Sequence, residues 1–248
     1  MNIEQTGCRI VNQFSIRLDP HKITKFLFKI ILTLDFLSLI GQFSLYFLPD
    51  FPLRHILIDK FNVDEEMNFP TLFSFTILMT SVGLLYLISL LRKNARDPRA
   101  RAWKILAFIF IYLGLDELMA LHERLMSPLR AMGATGIFYN AWVIPFGFLV
   151  IIFGITFFKF WINLIPRIRN LFLIAFILYV VGALGFELID GFLTFRAESN
   201  TFLYSVISTV EDGLEMSGIC IFIRGLTTYL NLLNIRSVTL NLNNGNVL

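Results

Sequence analysis

Charged residues and polar stretches are scarce in this chain. Asp, Glu, Lys and Arg make up 16% of its 248 residues, whereas a soluble domain usually contains about 25%. Hydrophobic residues make up 56%, and phenylalanine alone occurs 27 times. Because no long polar segment is present, the composition excludes an ordinary soluble domain and indicates a chain made mainly of membrane-spanning helices.

Cysteine, histidine and several common catalytic motifs are also scarce or absent. The 2 cysteines, Cys8 and Cys220, are far apart and indicate no disulfide framework. The chain has no redox cysteine pair, no glycine-rich phosphate loop and no G-x-S-x-G elbow. Of the 3 histidines only His122 falls in a predicted span, which argues against haem held by two histidines.

Apolar runs, each long enough to cross a ~30 Å hydrocarbon core, follow one another along the chain. They predict an all-α membrane bundle of about six transmembrane helices, with Asn68 as the N-cap and Pro70 in the first turn of the second helix. We expect a tail over residues 1–22, the bundle over 23–232 and a second tail over 233–248. The predicted helices cover residues 23–48, 68–91, 102–126, 140–161, 171–195 and 201–232.

The distribution of charge predicts the orientation of the bundle. Residues 92–101 form the most basic loop, and Arg167 and Arg169 lie in another, whereas the loop 49–68 is net acidic. Short basic loops stay in the cytoplasm, so both termini are predicted to be cytoplasmic, in a bacterial inner membrane. The formal net charge is +3, and the basic residues cluster at helix ends. The protein is therefore predicted to have the lipid bilayer as its partner and not a nucleic acid.

The stretch 113–123 places four ionisable residues, Asp116, Glu117, His122 and Glu123, in the predicted third helix. Ionisable groups at membrane depth are energetically unfavourable and therefore indicate a functional site. Asp116 and Glu123 are seven positions apart, so on one continuous helix they would point almost the same way. His122 and Glu117 would each point one position away from that line.

Two later predicted helices repeat the anomaly. Glu187 and Asp190 are three residues apart, and Glu211 and Glu215 are four apart, so each pair shares a helix face. At ~1.5 Å per residue, these acids converge on the outer half of the bilayer, where Asp35 of the first helix could join them. The sequence therefore predicts an acidic pocket that opens outward and binds protons or cations.

One histidine among carboxylates suits a divalent ion such as Zn, Mn, Fe or Mg. The predicted metal ligands are Asp116, His122, Glu123, Glu187 and Glu211. Glu215 and Asp116 are the predicted proton relay or general base. The predicted ligand-binding residues are Asp35, Glu117, Asp190 and Asp212.

Several functions fit such a pocket. Ion-linked transport is slightly favoured, because ionisable chains inside membrane proteins mark ion pathways. The first alternative is a metal-dependent, hydrolase-like membrane enzyme acting on a lipid or amphiphile. A further alternative is a non-catalytic sensor or assembly factor. The acids could also be protonated and hydrogen-bonded to one another, serving only to pack the helices.

Three short patterns carry a resemblance to a known group of proteins. They are Asp64 followed by residues 68–71 (NFPT), residues 115–117 (LDE) with 122–123 (HE), and residues 211–216 (EDGLEM). Together they resemble a group of uncharacterised bacterial polytopic membrane proteins, over most of the chain. The resemblance implies a membrane location and no particular activity.

Overall fold

The computed structural model describes residues 13–65, 67–233 and 237–241. This part of the chain is almost entirely helical, so the predicted all-α fold is confirmed apart from one short strand pair. A π-helical turn covers Val181–Phe186, and 3-10 turns cover Glu123–Leu125 and Gly136–Phe138. The α-helices are α1 (Pro20–Phe47), α2 (Arg54–Phe61), α3 (Phe69–Asn94), α4 (Ala100–Met119), α5 (Met126–Ala131), α6 (Val143–Ile162), α7 (Pro166–Val180), α8 (Glu187–Phe195) and α9 (Phe202–Leu232).

Three helices begin at side chains that accept hydrogen bonds from the first turn. Asp19 caps α1 by accepting from the backbone N–H groups of His21 and Lys22. Asn68 caps α3, because its Oδ1 accepts from Thr71 N at 3.0 Å, which confirms the predicted helix start. Thr201 caps α9 through Tyr204 N. Such caps satisfy backbone donors that the helix itself leaves unpaired.

Helix α9 is the centre of the bundle and packs against α1, α3 and α7. It buries 16 of its residues. Glycines let α7 and α9 approach closely: a Cβ on Gly218 would lie 2.9 Å from the carbonyl oxygen of Ala175. Small residues at such crossings are typical of helix packing in membranes. The core continues around Trp103, whose ring packs 4.9 Å from Phe160 and 4.9 Å from Tyr229.

Within the described residues, three segments are long and apolar enough to cross a membrane, which indicates a membrane protein: α3, α6 and the continuous run Pro166–Phe195. The run from α4 into Glu123–Ala131 would be a fourth, although it bends by 73°. This is fewer than the six spans predicted. The two helices α1 and α9, with 28 and 31 residues, also have the length of a span.

Two predicted helices differ from the observed ones in ways that shape the site. The third predicted helix, 102–126, ends at Met119, because Ala120 adopts the left-handed conformation with φ of 43°. The fifth, 171–195, is interrupted by the π turn. Helix α2 lies within the predicted loop 49–68. An apolar run gives no signal for a left-handed residue or a π turn, so these breaks were not predicted.

The described ends of the chain meet in a short strand pair. Strand β1 (Gln13–Arg17) pairs antiparallel with β2 (Ser237–Asn241). Nearby, the Asn231 amide donates to the carbonyl oxygen of Leu18 at 3.2 Å. The start of α1 and the end of α9 therefore lie at the same end of the bundle. Residues 1–12, 234–236 and 242–248 of the predicted tails lie outside the described part of the chain.

Candidate functional site

A cavity of about 1220 Å³ lies between α4, α6, α7 and α9. It is larger than most ligand pockets, which measure ~300–1,000 Å³. One end is lined by carboxylates and the rest mainly by phenylalanine, leucine and isoleucine. The carboxylate residues that line it are Asp64, Glu65, Asp116, Glu117, Glu123, Glu187, Asp190, Glu211, Asp212 and Glu215.

Glu187, Asp190 and Glu211 form the tightest group of acids, here called the carboxylate triad. Each offers an oxygen atom, and these atoms all lie within 4.8 Å of one another. Glu187 and Asp190 stand on the first turn of α8, directly after the π turn, and Glu211 faces them from α9. π-Helical turns are frequent at functional sites. Here the turn sets the direction in which α8 presents its two acids.

Asp190 is the most buried member of the triad, at 3% exposure. Its Oδ2 accepts a hydrogen bond from Ser208 Oγ at 3.0 Å, but its Oδ1 has no hydrogen-bond partner. Glu211 is 9% exposed. A buried carboxylate oxygen without a donor is energetically unfavourable unless a proton or a cation reaches it. A proton shared between carboxylates of the triad, or a cation, would satisfy this oxygen.

Trp142 connects the triad to a second polar pair. Its Nε1 donates to Glu187 Oε1 at 2.8 Å, and its ring lies 4.4 Å from the ring of His122. His122 in turn contacts Asp116: the backbone N–H donates to Oδ1 at 2.9 Å, and ring Nδ1 lies 3.0 Å from Oδ2. A continuous series of contacts thus joins Asp116 on α4 to the triad on α8 and α9.

The facing of His122 predicted from a continuous helix was wrong. Because α4 ends at Met119, the chain turns back at Ala120 and brings His122 onto Asp116, six residues earlier. The alignment of Asp116 with Glu123 predicted from helical spacing does not apply either, since Glu123 belongs to a separate 3-10 turn. Both residues nevertheless line the cavity.

Asp64 lines the cavity, although the spacing of acids on predicted helix faces did not indicate it. It belongs to the loop between α2 and α3, and its side chain opens into the cavity near Ser208, Glu187 and Glu123. Desolvation, together with the charge of Glu187 and other neighbouring carboxylates, raises the pKa of Asp64 to about 6. Its sequence signal was the pattern of the resemblance in which Asp64 precedes residues 68–71 (NFPT).

The remaining predicted acids occupy different places. Glu117, Asp212 and Glu215 line the cavity. Glu215 lies beside the π turn, where a Cβ on Gly182 would be 2.9 Å from its Cγ. Asp35 is not among the residues that line the cavity; it packs against α9, with its Oδ2 2.9 Å from where a Cβ on Gly213 would be.

The charges in the cavity are strongly unbalanced. Among the described residues that line it, none is lysine or arginine, and His122 is the only basic side chain. Arg130, from nearby α5, bonds instead to Tyr139 O and Asn140 Oδ1. Several carboxylates sharing one partly desolvated space favour bound protons, metal ions or a cationic ligand.

Comparison with known proteins identifies the family of this chain. The family described as Domain of unknown function (DUF8692) matches residues 26–230. The chain belongs to this family. All residues that line the cavity fall within the part that DUF8692 covers. No curated protein and no solved structure matches the chain.

Proposed function

We propose that this member of DUF8692 is an integral membrane enzyme that binds a divalent metal ion at the carboxylate triad and hydrolyses an ester or amide bond of an amphiphilic substrate. Water would add to the acyl carbon, the bond from that carbon to the ester oxygen or amide nitrogen would break, and the alcohol or amine would leave with a proton. One observation carries the proposal. Three carboxylate oxygens lie within 4.8 Å of one another, and one member, Asp190, has a buried Oδ1 without a partner. Carboxylate oxygens are the ligands that Mg²⁺ and Mn²⁺ prefer.

The metal ion would supply an activated water at neutral pH, because coordination lowers the pKa of the bound water. The protein would supply ligands that are already oriented. Trp142 fixes Glu187 through its Nε1 hydrogen bond, and Ser208 fixes Asp190. Such outer contacts usually contribute strongly to metal affinity. His122 is separated from the triad by Trp142, so we assign it to proton transfer instead of metal ligation.

His122 and Asp116 would act together as the base. When Nδ1 carries the proton and donates to Asp116 Oδ2 at 3.0 Å, Nε2 keeps the lone pair that accepts a proton. Asp116 then orients the ring and stabilises its charged form, as the carboxylate does in histidine–aspartate pairs generally. Glu215, further along α9, remains the predicted proton relay in the same cavity.

Ion-linked transport is the second candidate, and a different observation favours it. The ten carboxylates line one continuous cavity from Asp64, in a loop, to Glu215, on α9. A row of exchangeable acids of this kind could pass protons or cations without any bond being broken. The two candidates share the cation site and differ in what the cation does there.

For either function we propose six spans, formed by α1, α3, α4, α6, the run Pro166–Phe195 and α9, with both termini in the cytoplasm of a bacterium. The strand pair supports an even number of spans, since it places the start of α1 and the end of α9 at the same end. The basic residues of 92–101, between α3 and α4, support the orientation.

Metal analysis of the purified protein tests the proposal. We expect about one Mn²⁺, Mg²⁺ or Zn²⁺ per chain, and loss of that metal in Glu211→Gln and Asp190→Asn. Glu198→Gln is the control, because Glu198 pairs with Arg196 outside the cavity. If the protein holds no metal but moves protons or cations in proteoliposomes, transport replaces the enzyme.

A further inference from the structure

The cavity beneath the triad is much larger than a metal ion and a water require. Its lining extends from Trp142, the N-cap of α6, to Trp161 near the end of that helix, which corresponds to ~28 Å along the helix. One leaflet of a bilayer contributes only about half of a ~30 Å hydrocarbon core. The cavity is therefore long enough to take the whole alkyl chain of a membrane amphiphile.

The walls of the long part are suited to an alkyl chain. Phe108 on α4, Phe153 on α6 and Phe176 on α7 line it, and the rings of Phe153 and Phe176 stack at 5.8 Å. Within α6, only Val143 is buried. Phe108 and Leu149 line the cavity and are exposed on the bundle as well. A chain could therefore enter sideways from the bilayer, between α4 and α6.

The polar end determines which headgroup fits. Ten carboxylates among the described residues line the cavity. If the three of the triad hold a metal ion, the other seven remain beside it. No described lysine or arginine lines the cavity to hold a phosphate or sulfate, so an anionic headgroup would meet like charge. Trp142 and Tyr204, which also line this end, offer ring faces that attract ammonium groups.

We propose that the cavity binds an amphiphile with a cationic amino headgroup, with the headgroup among the carboxylates and the alkyl chain between α4, α6 and α7. This inference rests on the proposed function, because it names the substrate class of that site. Charge complementarity selects the headgroup, and the length of the apolar walls selects the tail.

Photolabelling in nanodiscs of neutral phosphatidylcholine tests the inference. Three probes share one 16-carbon chain with a terminal diazirine and differ only in headgroup: a primary amine, an alcohol and a phosphate. We expect the amine to label α4, α6 or α7 at least ~10-fold more than either of the others at equal mole fraction, which corresponds to ~1.4 kcal/mol. Equal labelling by the three probes, or stronger labelling by the phosphate, would overturn the proposal.

Two neighbouring variants on α6 test the place of the tail. Val150 lines the cavity, whereas Ile151 does not and is exposed on the bundle. We expect Val150→Trp to reduce amine labelling at least ~10-fold by filling the cavity, and Ile151→Trp to leave it unchanged. Unchanged labelling in Val150→Trp would contradict the place assigned to the alkyl chain. The headgroup comparison uses the unaltered protein, so it tests the proposal even if this variant does not fold.

Metal content measured on the same nanodiscs separates this inference from the proposed function. Bound metal without amine-selective labelling overturns the amphiphile and leaves the metal enzyme standing. Amine-selective labelling without bound metal overturns the metal enzyme and supports the cationic amphiphile as the ligand of the cavity.

Discussion

The carboxylate of Asp116 contacts His122 twice, through the backbone N–H at 2.9 Å and through ring Nδ1 at 3.0 Å. The two contacts depend on each other. The backbone hydrogen bond holds the turn that follows α4, and that turn is what brings the ring to the same carboxylate. One acid thereby ends a helix and orients a histidine that faces the cavity.

Loss of either member of this pair should lower catalysis and leave the fold intact. We expect His122→Ala and Asp116→Asn each to reduce kcat by about 10²–10⁴-fold, since a positioned base contributes that much. The double variant should be little worse than either single one, because the two residues act as a unit. Hydrolysis of a fluorogenic long-chain acyl ester or amide that carries a cationic amino group, presented in micelles, measures the effect.

A second histidine–aspartate pair in the chain supplies the control. His55 Nε2 lies 3.8 Å from Asp50 Oδ1, and both side chains are exposed outside the cavity. His55→Ala and Asp50→Asn should leave kcat unchanged. Full activity in both His122→Ala and Asp116→Asn would remove this pair from the mechanism.

Trp142→Phe should weaken metal binding. The substitution keeps an aromatic ring beside His122 but removes the Nε1 donor that lies 2.8 Å from Glu187 Oε1. Loss of such an outer contact to a ligand usually reduces metal affinity about 10–100-fold. Trp161→Phe, near the end of α6, is the matched control, because Trp161 Nε1 donates to the carbonyl oxygen of Arg169 instead. Equal metal affinities for the two variants, measured by titration calorimetry, would contradict the role of Trp142.

Gly218→Ala should destabilise the crossing of α7 and α9. A Cβ at this position would lie 2.9 Å from both Ala175 O and Tyr179 N, which are backbone atoms that cannot turn aside. We expect a loss of about 1–3 kcal/mol in the free energy of unfolding, as for other overpacked sites. Gly83→Ala on α3 is the control, since nothing lies within 4 Å of its added Cβ. That variant should be ~0.5–1 kcal/mol more stable than the wild type, and denaturant unfolding in micelles distinguishes the two.

Cation binding should strengthen as the pH rises through about 6. Burial and neighbouring carboxylates raise the pKa of Asp64 from 3.8 to about 6, so the folded protein without a cation favours the protonated acid. This contribution to stability is fully present below about pH 4 and is lost as the pH rises through about 6. A bound cation favours the carboxylate, so binding releases a proton in this range.

Calorimetry with Mn²⁺ between pH 5 and 7 tests this pH dependence. Asp64→Asn should flatten the profile, because no proton remains to be released at this position. Asp59→Asn, in α2 and outside the cavity, removes one negative charge elsewhere and should keep the wild-type slope. If Asp64→Asn retains that slope, another group accounts for the pH dependence.

The sequence by itself indicated a membrane protein and predicted an acidic site within its apolar segments. Apolar runs of this length with few charges indicate membrane spans. Such spans are helical, because each backbone polar group in a bilayer must be satisfied within the segment. Acids within those runs predict a functional site for the same reason. The start of α3 was also predictable, since Asn68 and Pro70 act on their own backbone, within one helical turn.

Only the tertiary structure decided which acids meet. Ideal spacing placed Asp116 and Glu123 on one line, yet a left-handed residue at Ala120 ends α4 and turns His122 onto Asp116 instead. The π turn re-aims Glu187 and Asp190 toward Glu211 on a helix that follows later in the chain. A hydrogen bond from His122 to Asp116 holds the first of these breaks, and the second lies against α9 at Gly182. Neither feature has a signal in the spacing of apolar residues. The carboxylate triad and the apolar cavity beneath it therefore belong to the fold and not to any one segment of the sequence.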